Sequence, residues 1–126
     1  MNIVIADDAG YIVELLRNIF EEQGHHVIGV AKNGHEAIEL TSQLKPDVLF
    51  LDLVMPDMNG LEAAKEILSL NPQQNIITCS SLDTKWVEEK AIETGCKSYL
   101  LKPFTKDQVA ASLRQIEILN EGKKHG

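Results

Sequence analysis

Apolar residues along this chain come in two rhythms that alternate five times. The first rhythm is a short run: Ile3 to Ala6, Val27 to Ala31, Val48 to Leu51, Ile76 to Cys79 and Tyr99 to Leu101. These runs are rich in Val, Ile and Leu and mostly lack polar alternation, which predicts strands covered on both faces. The second rhythm has helical spacing. Ile12, Leu15, Leu16, Ile19 and Phe20 fall at i, i+3, i+4, i+7 and i+8, with Glu14, Arg17, Glu21 and Glu22 turned outward. Ala37, Ile38, Thr41 and Leu44 repeat this more weakly, as do Leu61, Ala64, Ile67 and Leu68. Val87, Ala91 and Thr94, then Val109, Leu113 and Ile116, complete the series.

The boundaries carry their own chemistry. Asn33-x-x-Glu36, Asn59-x-x-Glu62 and Thr105-x-x-Gln108 each have the form of a capping box, in which two orphan helix-end donors are satisfied reciprocally. Gly24 and Gly95 suit the left-handed position that closes a helix. Lys45-Pro46 and Asn71-Pro72 end two others, because a residue before proline is pushed out of the α region. Strict β-α alternation predicts an α/β protein with a parallel sheet, helices on both faces and right-handed crossovers. For five units the expected architecture is a flavodoxin-like (βα)5 three-layer sandwich with strand order 2-1-3-4-5.

At 126 residues, one domain accounts for the chain: residues 1–121, with a short C-terminal tail at 122–126. A net charge of −7, with 12 scattered Lys and Arg, argues against a nucleic-acid surface. No apolar run is long enough to span a bilayer, and the first residues do not form a signal peptide. A cytoplasmic location without membrane contact is therefore expected. Cys79 and Cys96 have neither disulfide nor metal-ligand spacing and are read as reduced, buried small hydrophobes.

In a sheet of this kind, ligands bind beyond the carboxyl ends of the strands. The first strand ends in Asp7-Asp8, the third in Asp52, the fourth in Ser80-Ser81 and the fifth in Lys102-Pro103. Crowded carboxylates repel unless a cation or protons intervene. An oxygen-only set of this size suits Mg²⁺, which keeps some of its waters and often sits beside a phosphate. Lys102 supplies a point charge, Ser80 a hydroxyl, and a carboxylate is a competent phosphoryl acceptor. These are parts for phosphoryl transfer, which depends on positioning and charge neutralisation.

Asp7-Asp8, the segment Asp52-Leu53-Val54-Met55-Pro56-Asp57-Met58-Asn59-Gly60, Ser80, and Tyr99-Leu100-Leu101-Lys102-Pro103-Phe104 together resemble the motif set of response regulator receiver domains, the CheY-like family of two-component signalling. The resemblance runs from Ile3 to about Leu119. It implies that Asp52 accepts the phosphoryl group. Asp8, Asp52 and the Val54 carbonyl would bind Mg²⁺ (Mn²⁺ substituting), with Asp7 acting largely through water. Lys102 would pair with Asp52 and then with the phosphoryl oxygens. Ser80 and Tyr99 would be the switch residues, and Lys102-Pro103 would be cis. The implied partners are a sensor histidine kinase and a downstream effector or output domain, met through the face of the fourth helix, fifth strand and fifth helix. The protein would catalyse only its own phosphorylation and dephosphorylation, as a monomer or weak dimer. A stand-alone, chemotaxis-like regulator is the first expectation, and the N-terminal receiver of a larger regulator is the alternative.

Each residue also has a plain structural reading. Asp8 and Asn59 alone would be helix caps, Lys102 alone a solvated lysine and His35 a solvated histidine. Met55 and Met58 read as loop packing. Trp86, one step off its helical stripe, either fills a groove or anchors a partner. A haloacid-dehalogenase-type phosphatase would need a second Asp where Val54 stands, and a nucleotide site would need a glycine-rich motif that the chain lacks.

Overall fold

The computed structural model describes residues 1–82 and 85–125, with side chains through Glu121. Five strands, β1 (Asn2–Ala6), β2 (His26–Ala31), β3 (Val48–Asp52), β4 (Asn75–Ser80) and β5 (Ser98–Leu101), alternate with five helices. These are α1 (Gly10–Glu22), α2 (Gly34–Leu44), α3 (Gly60–Leu70), α4 (Lys85–Thr94) and α5 (Lys106–His125). The sheet is parallel in the order β2-β1-β3-β4-β5, as the alternation predicts. Of the expected tail, Gly126 and the side chains of residues 122–125 lie outside the described residues.

The inner strands β3 and β4 are buried along their whole length, and β1 is buried from Ile3 onward, whereas the edge strands β2 and β5 are partly exposed. Period-2 alternation splits the core into two layers. Ile3, Ile5, Val48, Phe50 and Ile77 meet α1 and α5 on one face. Val4, Leu49, Leu51 and Ile76 meet α2, α3 and α4 on the other. Phe50 sits edge-on between Phe20 and Phe104, with ring centroids 5.7 and 5.9 Å away.

The phase of α1 differs from expectation. Val13 is buried with Leu16, Ile19 and Phe20, while Leu15 is 46% exposed. Thr105 and Gln108 form the full reciprocal box, at 2.8 and 3.1 Å. In α2 only half of the box forms as expected: Asn33 accepts from Glu36 N–H, but the Glu36 carboxylate reaches back to Lys32 N–H. Gly24 and Gly95 adopt the expected positive φ, and Lys45 closes α2 in the left-handed region at φ 47°.

Thr41, buried on the inner side of α2, has a hydroxyl with no hydrogen-bond partner among the described residues. An unpaired buried hydroxyl destabilises, whereas a methyl of the same shape does not. Thr41→Val should therefore stabilise the fold by about 1 kcal/mol. A urea midpoint that falls instead would show that the hydroxyl is satisfied in solution.

Candidate functional site

Three strand ends and one edge strand converge at the carboxyl edge of the sheet. Asp7 directly follows β1, and its backbone N–H bonds to Ala31 O at the end of β2. Asp52 closes β3 in register with Cys79 of β4. Lys102 N–H bonds to Ser80 O, carrying the β4–β5 ladder one residue past β5. Side chains distant in sequence are thus placed by strand pairing alone.

Asp7 and Asp52 are almost entirely buried, at 1% and 4% exposure, and Asp8 is exposed. Each of the three carboxylates offers one oxygen to a cluster in which all lie within 4.8 Å of one another. Lys102 Nζ donates to Asp7 Oδ2 at 3.1 Å and to Asp52 Oδ2 at 3.2 Å. The other Asp52 oxygen accepts Val54 N–H at 3.0 Å, and Asp7 Oδ1 accepts Ala9 N–H at 2.9 Å. Asp8 is not a helix cap: α1 starts from Ala9 without a side-chain cap bond. Asn59 is both a motif residue and a cap, accepting Glu62 N–H at 2.9 Å.

Burial pushes the Asp52 carboxyl up, and Asp7 adds to this, while the Val54 N–H and Lys102 pull it down. The net direction is up, so the charged form is under-compensated by Lys102 alone. Burial by itself would lower Lys102, yet the surrounding anionic groups raise it, so it stays a cation. Cys79, the register partner of Asp52 on β4, is pushed up by burial and by Asp52, and remains a thiol. A further cation therefore suits the cluster. Its donor set is all oxygen, two carboxylates are held by fixed bonds and the third faces solvent, which fits a hard ion that retains waters.

Ser80 is fully buried, and its Oγ accepts Leu82 N–H at 2.9 Å. Tyr99 O–H donates to the carbonyl of that same residue at 2.6 Å. Both predicted switch residues thus hold one peptide segment after β4. The Lys102–Pro103 peptide is cis. Trp86, 61% exposed, lines a groove of about 490 Å³ with Val54, Met58 and Leu82, so it does not fill a helix–helix gap. Met55 is buried against the core. Volume alone would direct attention to a cleft of about 810 Å³ near Met1, His25 and Glu117, but the carboxylate cluster is not there.

The sequence reading missed Asp57. Its carboxylate accepts the N–H groups of Gly34 (2.7 Å) and His35 (3.0 Å) and contacts His35 Nδ1, so His35 is not merely solvated. A glycine at the first position of α2 was the available signal, since it marks a close approach there.

The family profile for the response regulator receiver domain matches residues 3–114. The chain belongs to the receiver domain family. Among relatives of this receiver domain, chemotaxis protein CheY of Thermotoga maritima is 38% identical over 114 residues, covering 90% of this chain and 95% of that one. The uncharacterized transcriptional regulatory protein YesN of Bacillus subtilis is 35% identical over 116 residues, covering 90% of this chain and 32% of that one. The crystal structure of the CheX–CheY–BeF3–Mg²⁺ complex from Borrelia burgdorferi superimposes with a TM-score of 0.86 at 25% identity, covering 92% of this receiver domain and 88% of that chain.

Proposed function

We propose that this receiver domain is the phosphoacceptor switch of a two-component system, taking its phosphoryl group from a sensor histidine kinase onto Asp52. The observation that carries the reading is the Asp52 carboxylate: buried, raised by its surroundings, bonded to Lys102 and clustered with Asp7 and Asp8. In the reaction, an Asp52 oxygen attacks the phosphorus of phosphohistidine. The new O–P bond forms as the P–N bond breaks, and imidazole leaves. The product is an acyl phosphate.

Asp8, Asp52 and the Val54 carbonyl would hold Mg²⁺ (Mn²⁺ as a substitute), with Asp7 acting largely through water. When bound, the ion neutralises charge on the carboxylates and on the transferring oxygens. Lys102 then moves its charge from the carboxylate to the phosphoryl oxygens. Ser80 turns its hydroxyl to the same group, which loosens its hold on Leu82 N–H. Tyr99, tied to Leu82 O, is released with that segment and turns inward. The face built from α4, β5 and α5 is thereby remodelled, and an effector that prefers the new form is selected.

The protein acts on no external substrate and catalyses only its own phosphorylation and dephosphorylation. The CheY relative, matched over nearly its whole length, supports a single-domain, chemotaxis-type regulator working in the cytoplasm. The YesN match supports the second architecture, in which an attached domain carries the output.

Intact mass after incubation with acetyl phosphate, with and without Mg²⁺, tests the proposal. The expected result is one added phosphoryl group that requires Mg²⁺, is removed by hydroxylamine and is absent from Asp52→Asn. A folded wild-type protein that gains no mass with several small donors or with histidine kinases would refute it.

A further inference from the structure

Asp52 and Val54 belong to a segment that continues to Asn59 before α3 begins, and the two halves of that segment are held differently. The inner half is tied to the sheet and to α3. Leu53 N–H bonds to Cys79 O at 2.9 Å, Gly60 N–H to Leu53 O at 2.8 Å, and Val54 N–H to the Asp52 carboxylate. Among the described residues, the hydrogen bonds that tie the outer half, residues 55–58, to another element all run through Asp57.

Asp57 spreads its two oxygens over three backbone donors. Oδ1 accepts Gly34 N–H at 2.7 Å and Met58 N–H at 2.8 Å. Oδ2 accepts His35 N–H at 3.0 Å and also meets the His35 ring. A helix leaves its first N–H groups without intrahelical partners, and its N-terminus favours negative charge. Asn33 satisfies only the Glu36 donor of α2. The first two donors are served by a carboxylate 22 and 23 residues further along the chain. What burial Asp57 has would raise its carboxyl, but these N–H groups and the His35 ring outweigh it and hold it well below the usual range, so the anion persists.

Packing reinforces the same contact. A Cβ on Gly34 would lie 2.3 Å from Met58 Cγ, so with any other residue at 34 the Met58 side chain would have to shift. Only Met55 and Pro56 lie between Val54 and Asp57, so the two Cα atoms are at most about 10 Å apart. So short a tether links the placement of Asp57 to the backbone that carries the Val54 carbonyl.

We propose that Asp57 is a positioning residue for the metal-binding loop, using the N-terminus of α2 as the template that sets the Val54 carbonyl against Asp52. The proposal rests on the reading of Asp8, Asp52 and Val54 as the Mg²⁺ site. A helix cap with no further role would affect stability alone, whereas a positioning residue affects Mg²⁺ affinity as well.

The test is a Mg²⁺ titration followed by fluorescence of Trp86, the single tryptophan, which lines the same groove as Val54. It is paired with thermal unfolding and with amide hydrogen exchange at Gly34 and His35. Asp57→Ala should weaken Mg²⁺ binding by about tenfold, the scale seen for groups that orient metal ligands, and should speed exchange at both amides. Asp57→Asn, whose amide oxygen still accepts from Gly34, should recover most of the affinity and covers the case of an unfolded alanine variant. Ile116→Val, a change in the core layer beneath α1 and α5 that contains no residue of the loop, should lower the melting temperature without altering Mg²⁺ affinity. Wild-type affinity in Asp57→Ala, with only the melting temperature reduced, would overturn the positioning role. A wild-type protein that binds no Mg²⁺, yet loses amide protection in Asp57→Ala, would instead overturn the metal reading and the positioning role with it.

Discussion

Lys102→Met is expected to slow phosphoryl uptake from acetyl phosphate by about 10²- to 10³-fold, the usual effect of removing one preorganised donor from a developing charge. The same change should destabilise the metal-free protein by about 3 kcal/mol, because breaking a buried ion pair leaves uncompensated charge behind. Two carboxylates are affected together, since Lys102 Nζ lies 3.1 Å from Asp7 and 3.2 Å from Asp52. The raised Asp52 carboxyl fixes the pH dependence. A group raised on folding adds stability below its unfolded value of 3.8 and loses it as pH rises through the folded value. Without Lys102 that loss should be larger, because less opposes the charge. Millimolar Mg²⁺ should restore most of the stability and little of the rate, as it neutralises the acids but cannot replace a donor to the phosphoryl group. Rapid-mixing kinetics and thermal unfolding with and without Mg²⁺ check both halves. A variant with the wild-type rate would remove Lys102 from the reaction.

Gly60→Ala should cost about 3 kcal/mol, the upper end of the overpacking range. An added Cβ would stand 2.5 Å from Leu53 Cα and 2.7 Å from Asp52 O. Both are backbone atoms, so no flexible side chain can move aside. Alanine is the better helix former by up to about 1 kcal/mol, which offsets only part of the clash. Because the atoms struck belong to the segment that carries Asp52 and Val54, Mg²⁺ binding should weaken together with stability. Denaturant unfolding and a Mg²⁺ titration on one preparation would show it. An unchanged midpoint would mean that α3 can slide away from β3 at no cost.

The strand ends were legible because apolar runs stop sharply: Ala6 gives way to Asp7, Leu51 to Asp52 and Leu101 to Lys102. In a parallel sheet those stops fall on one edge, so convergence follows from alternation without knowledge of any distance. The phase of α1 was harder to read. Ile12, Val13, Leu15, Leu16, Ile19 and Phe20 supply two overlapping apolar stripes, and only packing against Phe50 and α5 selects the one containing Val13. Asp57 was illegible for another reason. A carboxylate in a polar loop after proline looks solvated, and its partners are backbone N–H groups, which are the same in every sequence. Glycine at position 34 was the only trace of the contact, and it also served as an ordinary helix start.

The hydrogen bonds of Lys102 to Asp7 and Asp52 close over 95 and 50 residues of chain. As the ribosome delivers the polypeptide from its N-terminus, both acids emerge long before their counter-ion. A copy abandoned before Lys102, or clipped between β4 and β5, carries the Asp7 and Asp52 carboxylates but not the ammonium that bonds to them. Such fragments hold the buried acid pair without its cation, so the carboxyl edge of the sheet is complete only once β5 has been made.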